Sequence, residues 1–138
     1  EIAGKKITTS RQHYIKFELP DTYSRLIAMG IEKDYSMGYG SINGFRASTS
    51  ATHYWYDLRN DKASKLMLQP FCFMDANSYY EQKQNVTETA RELEHYLRVC
   101  KEVNGTFSFI FHNNILGKDP QFYGWMDMYR EFISRLPQ

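Results

Sequence analysis

The chain has 138 residues, of which 42% are hydrophobic and 16% aromatic, a composition typical of one packed domain and not of a disordered segment. It carries 17 basic and 16 acidic residues, and a formal charge of +1 does not indicate binding to nucleic acid or to an anionic membrane. No apolar run approaches the roughly 20 residues that a membrane-spanning helix needs.

The chain opens with EIAGKKITTSRQHY and has no initial methionine. Glu1 and Ile2 resemble the tail of a helix that ends near Ala3, with Gly4 as the left-handed residue that follows the helix. We therefore expect residues 1–138 to form a single domain that belongs to a larger protein.

The first half of the chain predicts strands around one short helix. KITTSRQHYIKF, residues 6–17, has the composition of a strand. Pro20 and Asp21 then begin a helix that places Tyr23, Leu26 and Ile27 on one face and closes at Gly30. EKDYSMGYGSINGF predicts a short strand that runs into a glycine-rich loop. HYWYDL and KLMLQPFCFMD flank Asn60-Asp61-Lys62, which indicates two extended segments joined by a turn.

The second half predicts two helices around a strand. Asn85 and Glu88 form the pattern of a capping box at the start of a long helix that ends at Asn104-Gly105. Its predicted buried stripe is Val86, Ala90, Leu93, Leu97 and Cys100. TFSFIFH, residues 106–112, predicts a buried strand. Asp119-Pro120 starts a last helix with Phe122, Trp125, Tyr129, Phe132 and Ile133 turned inward.

This alternation of strands and helices predicts an α/β fold with a mainly parallel sheet. In such folds the loops after the carboxyl ends of strands hold the functional groups, and His112 lies at such an end. A histidine there suits a general acid or a metal ligand. It equally suits a structural role in which the ring bonds to a loop carbonyl.

Two further segments carry candidate binding residues. If SRQHY is extended, Arg11 and His13 share one face, and an arginine at a strand end can clamp a carboxylate or form a surface salt bridge. The segment DYSMGYGSINGFR combines aromatic residues, glycines, Asp34 and Arg46, which suits a sugar-binding loop as well as an ordinary surface loop.

The cysteine and histidine patterns argue against a self-contained metal site. The only cysteines, Cys72 and Cys100, both lie in apolar segments, so we expect buried, reduced thiols, with a disulfide as the alternative. The 4 histidines are never closely spaced and no C-x-x-C is present, so no metal site is predicted within this chain. The lack of a disulfide pattern weakly favours a bacterial cytoplasmic location.

Several motifs together resemble a known family. R-Q-H-Y, D-Y-S-M-G-Y and G-F-R-A, followed by a strand that ends in histidine, are similar to the carboxyl-terminal half of polysaccharide deacetylases of the NodB-homology family, in its Bacteroides-type branch. The resemblance covers nearly all of the chain and implies that residues 1–138 are the carboxyl-terminal portion of a larger deacetylase-like domain. It implies part of a distorted (β/α) barrel, NodB-like, with a β insertion, and hydrolysis of acetamido groups on a glycan with a divalent metal, usually zinc.

The resemblance also implies roles for individual residues. Arg11 and Tyr14 match the family's R-x-P-Y motif, whose arginine orients the catalytic aspartate, although Gln12 and His13 replace the usual residues and place His13 among the substrate-binding candidates. Asp34 and Tyr35 fall where the family lines its acetyl pocket with aspartate and tryptophan.

Ile110-Phe111-His112 matches the family's L-x-H motif, with isoleucine for leucine, and makes His112 the general acid. The family's T-F-D-D segment and its metal-binding histidines have no counterpart in this chain. We therefore expect the fragment itself to bind no metal and to be inactive, with the metal, zinc by family resemblance, held in the intact protein.

Two alternatives remain open for function. The parent protein could be a degenerate deacetylase-like protein that binds glycan without cleaving it, as the altered R-Q-H-Y motif suggests, or the chain could be an α/β interaction domain of related fold. The expected partner is a glycan, with neither nucleic acid nor membrane. Uncovered strand edges also favour pairing with another copy of the chain.

Overall fold

The computed structural model describes residues 4–136, which form a mixed α/β fold. In chain order the elements are strand β1 (Thr9–Ser10), a 3-10 turn (His13–Ile15), helix α1 (Asp21–Ala28), strands β2 (Lys33–Asp34), β3 (His53–Asp57), β4 (Lys62–Leu68) and β5 (Phe73–Met74), a π-helix (Asn77–Glu81), helix α2 (Val86–Glu102), strand β6 (Phe109–Ile110), a 3-10 turn (Pro120–Phe122) and helix α3 (Trp125–Ser134). The helix end predicted at residues 1–3 lies outside the described residues.

The larger sheet has the strand order β1-β2-β4-β3. β1, β2 and β4 are parallel, with Asp34 of β2 paired to Ser10 of β1 and to Leu68 of β4. β3 is antiparallel to β4 and forms with it the hairpin predicted around Asn60-Asp61-Lys62. The larger sheet is therefore mixed: the predicted parallel pairing holds for β1, β2 and β4, and β3 is antiparallel.

The chain continues from β4 into β5 and so joins the two sheets. Gln69 and Phe71 donate their backbone N–H groups to the carbonyls of Asp34 and Met37, on the side of β2. Cys72 then donates to the carbonyl of Ser108, and β5 pairs in parallel with β6. One extended run therefore carries the chain from the larger sheet to the smaller one.

The first predicted strand is wrong beyond Ser10. Tyr14 and Ile15 have φ angles of +57° and +53°, which an extended strand does not allow. The N–H of Gln12 is held by the side chain of Ser36 instead of by a neighbouring strand. Arg11 and His13 consequently do not alternate on a strand face.

Helix α1 begins and ends close to the predicted positions. Asp21 lies in its first turn, where a negative charge favours the positive end of the helix dipole. Gly30 follows the helix with a φ of +79°, which glycine adopts without steric cost. Tyr23 and Leu26 are buried as predicted, whereas Ile27, on the other side of Tyr23 from Leu26, lies at the edge of the buried face and is 36% exposed.

The long helix α2 has the predicted capping box. The Asn85 side chain accepts from the N–H of Glu88 at 3.0 Å, and the Glu88 side chain accepts from the N–H of Asn85 at 2.8 Å. Leu93 and Cys100 of the predicted stripe are buried, and Val86, Ala90 and Leu97 pack against the same core.

The last helix and the last strand differ from their predicted extents. Asp119 caps only a 3-10 turn, and α3 begins after Gly124, whose φ is +85°. Met128, which the prediction omitted, is buried beside the predicted residues of α3. β6 is half-buried and pairs with β5 over only 2 residues, Phe109 and Ile110, so it is shorter than the strand predicted over residues 106–112.

The core has two clusters. The larger lies under α2, α3 and the smaller sheet, and its buried members include Phe73, Leu93, Trp125 and Phe132. The smaller lies between α1 and the larger sheet around Tyr23. Among the helices of residues 4–136, none combines the length and the apolar composition needed to cross a membrane.

Cys72 and Cys100 are both free and both buried in the larger cluster, as the sequence predicts. Burial raises the pKa of both thiols. A thiol pKa above its value of about 8.5 in the unfolded chain means that the neutral form favours the folded state. This contribution to stability is complete below about pH 8.5 and is lost as the pH rises towards the folded-state value.

Alkylation should therefore distinguish these thiols from exposed ones. We expect iodoacetamide at pH 8 to leave Cys72 and Cys100 of the folded protein unmodified and to modify both after denaturation, because only an accessible thiolate reacts. Peptide mapping by mass spectrometry measures both positions. Rapid modification of either thiol in folded protein would contradict this prediction.

Candidate functional site

A cleft of about 710 Å³ lies at the carboxyl ends of strands. Its lining comes from the loops after β1, β5 and β6, within residues 11–15, 76–81 and 112–115, with Gly40, Met74 and Ile110 between them. Parallel strands bring the loops that follow them to the same edge, so residues distant in sequence share this cleft. The cleft is thus where the parallel α/β rule places a site.

The centre of the site is a bonded pair of His112 and Asp75. The backbone N–H of His112 donates to Oδ2 of Asp75 at 2.6 Å, and Nδ1 of His112 lies 2.5 Å from Oδ1 of the same carboxylate. The His112 side chain is 40% exposed, whereas that of Asp75 is fully buried. Because a carboxylate only accepts, we assign the proton to Nδ1, which leaves Nε2 as the ring nitrogen able to act on a ligand.

Burial raises the pKa of the Asp75 carboxyl, since the charged form is costly away from water. The hydrogen bonds from His112 and from the N–H of Ala76, at 2.7 Å, act in the opposite direction. These donors converge on a single buried carboxylate. The arrangement holds the imidazole in one orientation, because the backbone and the ring of His112 are bonded to the same carboxylate.

Asp75 was not among the residues predicted from sequence. It follows directly on the buried residues Phe73 and Met74 of β5, as His112 closely follows β6. Because β5 and β6 are parallel neighbours, polar residues that follow them meet at the same edge. A polar residue within two positions of the end of each apolar strand was the available signal.

Arg11, His13 and Tyr14 form a second wall of the same cleft. The wall is attached to the loop after β2, because the N–H of Gln12 donates to Oγ of Ser36 at 2.8 Å. Tyr14 is 85% exposed despite its aromatic ring. The structure therefore brings together His112, Arg11, His13 and Tyr14 of the predicted site residues.

Arg11 also reaches towards β2. Its Nε–H donates to the carbonyl of Tyr35 at 3.3 Å. Burial lowers the pKa of the guanidinium, and the nearby Asp34 carboxylate acts in the opposite direction. An arginine remains charged at neutral pH despite such a shift. Arg11 thus supplies a positive charge to the rim of the cleft.

Asp34 and Tyr35 do not line the cleft. The Asp34 carboxylate is buried and accepts from Oγ of Ser10 at 2.6 Å and from the N–H and Oγ of Ser36 at 2.9 and 3.0 Å. Tyr35 lies with Arg11 at a shallow neighbouring depression. Of the segment 34–46, proposed as a sugar-binding loop, Gly40 contributes to the cleft lining.

The described part of the chain offers no donor set for the metal that the family resemblance implies. Within residues 4–136, no three side chains of histidine, cysteine, aspartate or glutamate are grouped closely enough to hold a metal ion. His53 and His95 lie elsewhere, against the carbonyl of Ala51 and the side chain of Arg98. The residues described here therefore do not fit a complete metal centre.

Comparison with known proteins adds no family assignment. The chain matches no protein-family model, no curated protein sequence and no solved structure. The fold and the cleft therefore carry the functional argument.

Proposed function

We propose that the chain supplies the proton-donating half of a hydrolytic site that removes acetyl groups from the amino sugars of a glycan. The observation that carries the proposal is the His112–Asp75 pair in the cleft, with one ring nitrogen held by a buried carboxylate and the other left for a ligand. A paired imidazole of this kind is a standard general acid.

The proposed chemistry adds water across the bond between the acetyl carbon and the sugar nitrogen. The C–N bond breaks, and the products are acetate and a free amine. An amine leaves readily only when its nitrogen takes up a proton, which the protonated ring of His112 would provide through Nε2. Asp75 stabilises that protonated ring and fixes its direction.

The surrounding residues have proposed supporting roles. Arg11, His13 and Tyr14 would contact the glycan from the second wall. Asp34, buried under that wall, would hold it in place through Ser36, while Tyr35 would act through its carbonyl contact with Arg11. The family resemblance assigns the catalytic base and the metal to segments other than these, so we assign neither role here.

The parallel strands suit the barrel that the resemblance implies. β1, β2 and β4 run parallel, β5 and β6 run parallel, and the cleft lies at carboxyl ends, as in barrel enzymes. We propose that these strands are part of a distorted (β/α) barrel of the NodB type, with the β3–β4 hairpin as its insertion.

Acetate release from an N-acetylated oligosaccharide tests the proposal. We expect the full-length protein, supplied with zinc, to release acetate, and the Asp75→Asn variant to do so at least roughly tenfold more slowly, because an amide orients the ring poorly and does not stabilise its charge. Asp127→Asn, a change at an exposed position in the first turn of α3, is the matched control and should leave the rate unchanged.

Metal content and melting temperature should be measured on all three samples. Full activity of a folded, metal-loaded Asp75→Asn variant would remove the pair from the mechanism. If the unsubstituted protein binds the oligosaccharide but releases no acetate, it is a glycan-binding protein instead.

A further inference from the structure

We infer that Tyr80, together with Tyr14, forms an aromatic subsite that binds a sugar ring next to the one that faces His112. The inference rests on the proposed glycan ligand and adds a preference for chains over single sugars. Both tyrosines line the cleft that His112 lines. Tyr80 was not identified from the sequence.

Neither tyrosine is buried in the hydrophobic core. Tyr14 is 85% exposed and Tyr80 is 42% exposed, although each lies beside buried or half-buried neighbours. Large aromatic side chains usually bury most of their area, so two exposed rings in one cleft indicate a surface that a ligand covers.

Unusual backbone presents each ring. Tyr14 and Ile15 are consecutive residues with positive φ, a conformation that is costly for tyrosine and more so for β-branched isoleucine. Tyr80 lies in the π-helix Asn77–Glu81, a form that is rare and frequent at functional sites. Backbone of this kind is enriched at binding sites, and here both segments border the same cleft.

The Tyr80 ring is firmly supported. It packs edge-on against Tyr79, with ring centroids 4.8 Å apart, and against Phe122 at 6.4 Å. Phe122 is itself buried in the larger core cluster. A ring braced in this way loses little conformational freedom when a ligand packs against it.

The chemistry of the lining favours a sugar ring over a purely apolar ligand. The electron-rich faces of tyrosine attract the weakly positive C–H groups that cover a pyranose face. The lining of the same cleft includes Gln12, Asn113 and Asn114, whose side-chain amides can both donate to and accept from hydroxyl groups. Its volume of about 710 Å³ lies within the range of roughly 300–1,000 Å³ that is usual for small-ligand sites.

Binding measurements on the full-length protein test the inference without requiring catalysis. The probes are N-acetylglucosamine and the hexasaccharide of β-1,4-linked N-acetylglucosamine, titrated by calorimetry. We expect Tyr80→Ala to weaken hexasaccharide binding roughly tenfold, the loss of one aromatic contact, and to change monosaccharide binding less than about twofold.

A second variant keeps the test informative if Tyr80→Ala does not fold. Tyr14→Asn suits the left-handed conformation at that position and should also weaken hexasaccharide binding selectively. Tyr123→Ala, at a residue that is 90% exposed and outside the cleft lining, is the control. Melting temperatures confirm that each variant is folded.

Unchanged hexasaccharide affinity in folded Tyr80→Ala and Tyr14→Asn, an equal loss for both probes, or no binding of the hexasaccharide by unsubstituted protein would overturn the inference. Acetate release on the same samples separates the two proposals. Release without dependence of binding on the tyrosines defeats only the aromatic subsite, whereas tyrosine-dependent binding without release defeats only the deacetylase activity.

Discussion

Replacing His112 by alanine in the full-length protein is expected to lower the rate of acetate release by roughly a hundredfold or more. The reason is the position of its ring, which is held at Nδ1 by the buried Asp75 and remains 40% exposed at the cleft. In the proposed mechanism, removal of the imidazole leaves the departing amine without a proton donor. Turnover is measured at saturating substrate, so that a change in binding does not contribute.

Alanine also leaves Asp75 without one of its hydrogen bonds, which costs about 1–3 kcal/mol for a buried group. His112→Asn separates the two effects, because its side-chain amide can still donate to the carboxylate but has no proton to release near neutral pH. We expect both variants to lose activity and the asparagine variant to retain more stability.

His95→Ala is the matched control, since His95 is exposed on α2 and contacts Arg98 outside the cleft. Its rate should equal that of the unsubstituted protein. Undiminished turnover in a folded, metal-loaded His112→Asn variant would rule out His112 as the general acid.

Phe73→Ala is expected to lower the free energy of unfolding by about 3–5 kcal/mol, the usual cost of deleting a fully buried phenylalanine ring. Phe73 has no exposed surface, and its ring lies 5.6 Å from that of Phe111. The substitution leaves a cavity between β5 and the segment that follows β6. These are the segments that carry Asp75 and His112, so acetate release should fall together with stability.

Urea unfolding followed by circular dichroism measures the change, with Leu58→Ala as the control at a residue that is 86% exposed. The control should change stability by less than about 0.5 kcal/mol. A loss of under about 1.5 kcal/mol for Phe73→Ala would mean that the surrounding core closes around the cavity.

Features set by neighbouring residues were predictable from sequence. The capping box of α2 is made by Asn85 and Glu88, which are 3 residues apart, so its pattern is visible in the chain. Helix α1 and the β3–β4 hairpin were predictable for the same reason, since a glycine or a turn sequence marks their ends.

Features set by distant residues were not predictable. His112 and Asp75 are 37 positions apart, and no local pattern joins them. The end of β1 is determined by Ser36, whose hydroxyl takes the N–H of Gln12 that a longer strand would have used. The exposure of Ile27 likewise depends on which face of α1 meets the sheet, and a sequence pattern constrains that face only to within about one residue.

The attachment of His112 to Asp75 through both backbone and side chain has an evolutionary consequence. Any residue except proline at position 112 would still donate its backbone N–H to Oδ2 of Asp75, so the loop would remain anchored when the imidazole is lost. Under the proposed function, a lineage that carries this fold could then abandon proton donation by a single codon change and keep both the cleft and its proposed glycan contacts. Conversely, a binding protein with this loop is one substitution from regaining the acid, and catalytic and non-catalytic members of such a lineage can be neighbours in descent.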